Sequence, residues 1–176
     1  LRGYIKWFIN RLLIKLNVDA VITISETSKK DICRIININP DKVFVTYLAP
    51  RKIFKHMDVS KSTKSEILKK HKIPEKFALY VGDINYNKNI NILVSACQEV
   101  GIPLVISGKQ AANVEKINLD HAELVHLKKI DWTDCYRVGY VEDSELNILY
   151  NMASVYIQPS LYEGFGLPVL EAMATG

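Results

Sequence analysis

Short apolar runs alternate with stretches of helical spacing between residues 77 and 158, and this alternation limits the fold more than any other feature of the chain. The runs at 77–82, 103–108, 137–141 and 154–158 are dominated by Val, Ile, Leu and Tyr and read as strands. Between them the apolar positions follow a helical period over 89–100, over a shorter piece near 111–117, and from Asp143 or Ser144, either a suitable cap, to Met152. A polar helix covers 63–71, and a short apolar piece lies at 123–127. Strands separated by helices pair in parallel, and the crossover helices cover both faces of the sheet. The fold class is therefore α/β, a parallel sheet with helices on both faces. Ligands of such sheets bind beyond the carboxyl ends of the strands. Gly82, Gly108, Gly139 and the loop 159–166 all fall there and are expected to line one crevice.

Upstream, 20–25 and 42–47 read as strands around a helix over 28–37, which Ser25 or Thr27 can cap and the Asn37–Pro40 turn ends. Residues 49–62 are irregular and contain Pro50, so the chain divides into 1–50, a linker at 51–62, and 63–176. The first helix, 4–16, carries Ile5, Phe8, Leu12 and Leu16 on one stripe with Arg2, Lys6, Arg11 and Lys15 and no acid. Such a helix suits an anionic membrane surface through residues 2–16, or packs its stripe on a further domain; both readings stand.

Composition excludes several classes. With 48% apolar residues the chain can bury a core, and a net charge of +4 gives no argument for nucleic acid. No apolar run is long enough for a transmembrane helix. Cys33, Cys97 and Cys135 are an odd, widely spaced set that reads as reduced thiols in a cytoplasmic setting. The four histidines show no ligand spacing, and no metal site is expected.

The chemistry concentrates near the end, in Ser160-Leu-Tyr-Glu-Gly-Phe-Gly-Leu-Pro-Val-Leu-Glu-Ala172, where Glu163 and Glu171 are separated by seven residues. A strand, a glycine turn and a helix in succession leave backbone N–H groups free at the helix start, which favours an anion. Pro168 suits the first helical position, and Glu171 would then lie in the first turn. One carboxylate on each side of an anion site fits neutral hydroxyls flanking a phosphate, as in a nucleotide sugar; Glu171 could equally serve only the helix dipole. A second loop, Gly82-Asp-Ile-Asn-Tyr-Asn-Lys88-Asn89, also leaves a strand and opens a helix. Lys88 there can meet a phosphate as a point charge, or be an exposed lysine that the dipole slightly disfavours. Gly108-Lys109 is a weaker turn of the same kind. No Gly-x-Gly-x-x-Gly fingerprint occurs, which argues against a classical NAD site.

Together these residues carry a resemblance. Glu163-Gly-Phe-Gly-Leu-Pro-Val-Leu-Glu171 resembles the Glu-x7-Glu signature of retaining GT-B glycosyltransferases, most closely glycosyltransferase group 1, family GT4. Residues 21–32, the stretch from Tyr80-Val81-Gly82 to Lys88-Asn89, and Val138-Gly-Tyr-Val141 agree with it in order and spacing. The resemblance implies two Rossmann-like domains, of which 1–50 is the end of the acceptor-side one and 63–176 an incomplete donor-binding one. It implies sugar transfer with retention from a nucleotide-diphosphate sugar to a glycan or lipid-linked acceptor, with no cofactor and no metal. Carried over, Glu171 would hold ribose hydroxyls, and Glu163 would contact the donor sugar near the reacting carbon. The Gly164, Phe165, Gly166 and Leu167 backbone would meet sugar hydroxyls and diphosphate. Lys88 would neutralise the diphosphate beside Gly82, and the Val141 backbone would meet the base. One departure stands out: many members carry Arg directly after the loop glycine, and here that residue is Asp83, which is expected to point away or serve another contact.

The chain begins at Leu1 without an initiator Met or a signal-peptide pattern and ends a few residues into a helix, so it reads as a piece of a longer protein. Such a piece would bind donor weakly and catalyse nothing measurable. The expected location is cytoplasmic, or peripheral on the inner face of a membrane. Two alternatives remain: a nucleotide-sugar epimerase of GT-B fold, which needs a different acid pattern at 163–171, and a non-catalytic nucleotide-sugar binding module, which needs a degenerate motif.

Overall fold

The computed structural model describes residues 2–176, and the chain forms two compact units, Leu1–Ala49 and Pro50–Gly176. The first contains α1 (Arg2–Asn17), β1 (Val21–Thr23), α2 (Glu26–Ile36) and β2 (Val43–Val45), with β1 and β2 paired in parallel. Ser25 is the cap of α2: its hydroxyl accepts from the Ser28 N–H at 3.0 Å, which satisfies a donor that the helix cannot. Asn37 closes the same helix in the left-handed region at φ 61°. Helix α1 is tied to α2 by Arg11, whose Nε donates to the Ile36 carbonyl at 3.2 Å. None of the α1 residues is buried, and Trp7, Phe8 and Leu13 are exposed. Among the described residues no helix is long and apolar enough to cross a membrane.

The second unit runs α3 (Lys61–His71), β3 (Ala78–Val81), α4 (Ile90–Glu99), β4 (Leu104–Ser107), α5 (Lys109–Ala112), β5 (Cys135–Gly139), α6 (Asp143–Met152), β6 (Val155–Tyr156) and α7 (Leu167–Thr175). Its sheet is entirely parallel in the order β5-β4-β3-β6. Period-2 alternation sends successive side chains to opposite faces. Ala78, Tyr80, Leu104 and Ile106 face a core with Leu93 and Val94 of α4 and Leu127. Leu79, Val105, Phe77 and Val138 face a second core built with Ile67 of α3 and Leu149 of α6. A strand buried on both sides must be apolar throughout, which is why these runs show no polar alternation.

Several local boundaries differ from the expectations above. The helix near 111–117 is confined to Lys109–Ala112, because the Asn113 side-chain amide donates to the Lys109 carbonyl at 2.9 Å and ends the turn. The apolar piece at 123–127 is a 3₁₀ turn, Val125–Lys129. Strand β5 stops at Gly139, where φ of +77° turns the chain. Helix α6 has neither Asp143 nor Ser144 as its cap: Glu142 holds that position without a side-chain bond, and the Asp143 carboxylate is engaged elsewhere. The stretch read as a linker is fastened to α6 over residues 55–57. There Asn147 accepts from the Lys55 N–H at 3.0 Å and Asn151 from the Met57 N–H at 2.8 Å.

At the carboxyl end of the sheet, β3 and β4 come so close that a Cβ on Gly108 would lie 2.2 Å from the Gly82 carbonyl oxygen. The ladder continues there, from the Gly82 N–H to the Ser107 carbonyl and from the Gly108 N–H to the Gly139 carbonyl, both at 2.9 Å. Gly108 is extended, so its constraint is space and not φ. Gly108→Ala is expected to cost about 1–3 kcal/mol by overpacking, read from the midpoint of urea unfolding with the slope unchanged.

Candidate functional site

The sheet order makes a switch point. From β3 the chain builds outward through β4 to β5, and then β6 returns to the other side of β3. Loops leaving β3 and β6 in the same direction therefore meet above the sheet, where open α/β folds place ligands. The two loops are stitched together: the Leu161 N–H donates to the Asn87 carbonyl at 2.8 Å, and the Asn89 side-chain Nδ2 donates to the Pro159 carbonyl at 3.3 Å. On the far side, the Gln110 amide holds the loop after β3, accepting from the Ile84 N–H at 3.0 Å and donating to Asn85 Oδ1 at 3.2 Å.

Lys88 and Glu163 meet at this junction. Lys88 Nζ donates to Glu163 Oε1 at 2.7 Å, across 75 residues of chain. The same oxygen accepts from Gln158 Nε2 and Ser160 Oγ, each at 2.7 Å. Burial pushes the Glu163 carboxyl up, but the Lys88 ammonium, the Ser160 hydroxyl and the Gln158 amide outweigh it and hold the group below the usual carboxylate range. Glu163 is thus ionised at neutral pH with its charge largely met.

Glu171 is a different carboxylate. It lies in the second turn of α7, because the helix starts at Leu167 and Pro168 takes its second position. The expected place in the first turn is corrected accordingly: Glu171 packs against α6 and is 7% exposed. Tyr150 donates its phenol to Glu171 Oε2 at 3.1 Å, and an Arg51 guanidinium nitrogen stands 3.9 Å from Oε1. Burial raises the Glu171 carboxyl, Tyr150 and Arg51 pull it down, Asp143 pushes it up, and the result lies above the ordinary value.

A crevice of about 340 Å³ opens over the strand ends, and Gly82, Val141 and Glu171 line it with Asp83, Arg51 and Lys109. Val141 is buried in its wall. Gly166 begins α7 in the left-handed region at φ 95°, and its carbonyl accepts from the Val169 N–H at 3.0 Å. Gly164, Phe165 and Leu167 are half-buried within or just after the loop that carries Glu163. Lys88 and Glu163 stand outside this lining, at the adjoining loop junction. Asp83 is exposed and lines the crevice, and its backbone carbonyl accepts from Tyr80 Oη at 2.6 Å.

Four participants were not visible as site residues in the sequence. Gln158 and Ser160 had a signal, since polar side chains at the carboxyl end of a buried strand face the ligand side. Arg51 had none, and Tyr150, which with Leu146 follows the 138–141 strand in the family pattern, gave no sign of its bond to Glu171, because both pairings are set by tertiary packing. No group of three or more His, Cys, Asp or Glu side chains among the described residues is placed to hold a metal ion.

Comparison with known proteins gives consistent relatives. The family model described as glycosyl transferases group 1 matches residues 63–176. O-antigen chain mannosyltransferase B of Escherichia coli is 32% identical over 163 residues, covering 89% of this chain and 41% of that protein. The serotype-specific mannosyltransferase WbdA of Escherichia coli is 30% identical over 97% of this chain and 21% of its own length. This chain therefore spans less than half of those relatives. Among solved structures, a glycosyltransferase from Rickettsia africae superposes with a TM-score of 0.71 at 17% identity, covering 94% of this chain and 45% of that one. Anabaena Alr3699/HepE, solved in complex with UDP and glucose, gives 0.70 at 17%, covering 96% and 46%. These two likenesses concern the fold.

The buried acid has a thermodynamic signature. A carboxyl whose folded pKa is raised costs the fold stability once the unfolded chain can ionise it more easily, so this cost is absent below the ordinary glutamate value, grows as pH rises past that value and is complete above the raised one. Glu171→Gln removes that titration. Its stability relative to the wild type is expected to rise between pH 4 and pH 7.5 in paired urea unfolding curves.

Proposed function

The chain belongs to the glycosyl transferases group 1 family, and we propose that it carries the donor site of a retaining glycosyltransferase. In this reading a nucleotide-diphosphate sugar lies across the ends of β3, β4 and β6, and a hexosyl group passes from it to a glycan or lipid-linked acceptor. The observation that carries the proposal is the Lys88–Glu163 pair at 2.7 Å, held at the switch point beside a crevice that contains Glu171.

The roles are those the family resemblance implies, and the two environments are compatible with them. Glu171, buried and bonded to Tyr150, offers an acceptor for ribose hydroxyls. Glu163, ionised among three donors, faces the donor sugar near its reacting carbon, where a fixed negative charge stabilises positive charge developing on the ring. Lys88 is the nearby cation for the diphosphate. As the glycosidic bond breaks, negative charge grows on the leaving group, and an ammonium already in place stabilises it without reorganisation. Lys88 takes this role in place of a metal ion. The Gly82 backbone admits the phosphates closely, Val141 borders the base, and the 164–167 backbone meets sugar and diphosphate. The relatives named as mannosyltransferases support a mannosyl donor and a surface-glycan acceptor. Helix α1, acid-free with Trp7 and Phe8 exposed, supports peripheral contact with an anionic membrane from the cytoplasmic side.

The test is transfer by the whole protein from a panel of GDP- and UDP-sugars, GDP-mannose among them. Lys88→Ala is expected to lower the transfer rate at least tenfold, about 1.4 kcal/mol of transition-state stabilisation, and Glu163→Ala to lower it further. Wild-type rates in both variants would remove the assignment.

A further inference from the structure

Arg51 sits where nothing in the motif pattern points. It belongs to the stretch read as a connector, before the residues matched by the family model, and yet it lines the crevice. Its guanidinium grips the Asp143 carboxylate through both terminal nitrogens, one of them at 2.7 Å, across 92 residues of chain. The same group stacks over the Phe54 ring at 5.2 Å, and Phe54 in turn meets Tyr150 edge to face at 5.8 Å between centroids. One terminal nitrogen lies 3.9 Å from Glu171 Oε1. The guanidinium therefore stands between two carboxylates that border one crevice.

We infer that Arg51 is a positioning residue for this site: set between Asp143 and Glu171, it holds the Glu171 carboxylate as an acceptor facing the crevice. The inference rests on the donor reading of Glu171 above. Without the cation, Asp143 and Glu171 become uncompensated like charges, and the more buried of the two is the one that takes up a proton. A protonated Glu171 presents one acceptor fewer to a pair of hydroxyls and brings a donor of its own. The charged and titratable groups that bear on Glu171 are Arg51 and Asp143 on the crevice side and Tyr150 and Tyr156 on the core side. Both tyrosines stay protonated throughout the working range, because burial raises them. Among the described residues Lys109 and Asp83 also line the crevice, Lys109 lying over the Tyr140 ring at 4.7 Å, and Arg51 is the cation that stands against Glu171. Its three contacts, to Asp143, Phe54 and Glu171, use the planar shape and the charge of the guanidinium together.

The experiment measures binding of UDP and of GDP to the whole protein by titration calorimetry between pH 6 and pH 9. Each variant is compared with the wild type at the same pH, so that titration of the nucleotide cancels. Arg51→Met is expected to weaken binding several-fold at pH 7, more at pH 6, and to approach the wild type as pH rises toward 9, since rising pH favours the ionised Glu171 in either protein. Arg51→Lys keeps the charge and is expected to retain most of the affinity. The double variant Arg51→Met with Asp143→Asn removes the cation and the opposing carboxylate together, and is expected to recover part of the loss. A loss that is flat with pH and not relieved by Asp143→Asn overturns the inference, since it marks Arg51 as packing alone. Glu171→Gln separates the levels. If it weakens nucleotide binding while Arg51→Met does not, only the Arg51 inference fails. If Glu171→Gln binds both nucleotides as the wild type does, the donor reading fails and takes the inference with it.

Discussion

The site depends on one constraint, that β3 has a parallel neighbour on each side. A single parallel pair would leave the loop after β3 facing solvent. With β4 at one flank and β6 at the other, that loop is held from both directions, by Gln110 beyond β4 and by the 157–166 loop beyond β6. Lys88 is half-buried for this reason, and an ammonium taken partly out of water requires a counter-charge. Glu163 supplies it from the loop after β6. The ion pair is therefore less a stabilising ornament of the surface than a product of strand order.

Two glutamates in one short motif are driven in opposite directions by what surrounds them. Glu163 sits among an ammonium, an amide and a hydroxyl and remains a stable anion. Glu171 has one phenol, a more distant guanidinium and an apolar helix interface, and so it lies closer to neutrality. Environments that pull like groups apart let a single site offer a permanent charge at one end and an adjustable acceptor at the other. Seven residues of spacing suffice, because the intervening Gly-Phe-Gly turn carries the chain from the loop exposed above the sheet to the face of α7 that packs on α6.

The parts of this structure that were legible in the sequence are those written in local pattern. The central strands are apolar on both faces, so their runs stand out, and the glycines at 82 and 108 mark a close approach that a Cβ would block. Element ends were less legible. Strand β6 pairs over two residues alone, since only Ala78 and Leu79 of β3 have it as a neighbour, and no property of residues 154–158 announces that limit. Side-chain bonds of long sequence separation left no local trace. Lys88 and Glu163 each stood out by loop position, but their pairing did not, and Arg51 looked like part of a connector because its partners lie on α6 and α7. Helix α7 starts one residue earlier than its Pro168 suggests, which puts Glu171 in the second turn, where its carboxylate accepts from the Tyr150 phenol.

Strand order also sets a sequence of events during synthesis. The loop with Lys88 precedes its partner Glu163 by 75 residues, and the strand that closes the junction comes after the other three described strands of the sheet. A ribosome working at roughly 5–20 residues per second leaves the first loop without its counterpart for several seconds. During that interval β3 has one bare edge, able to pair with any extended segment nearby. The placement of the switch point thus makes β6 both the completion of the loop junction and the cover for the second edge of β3.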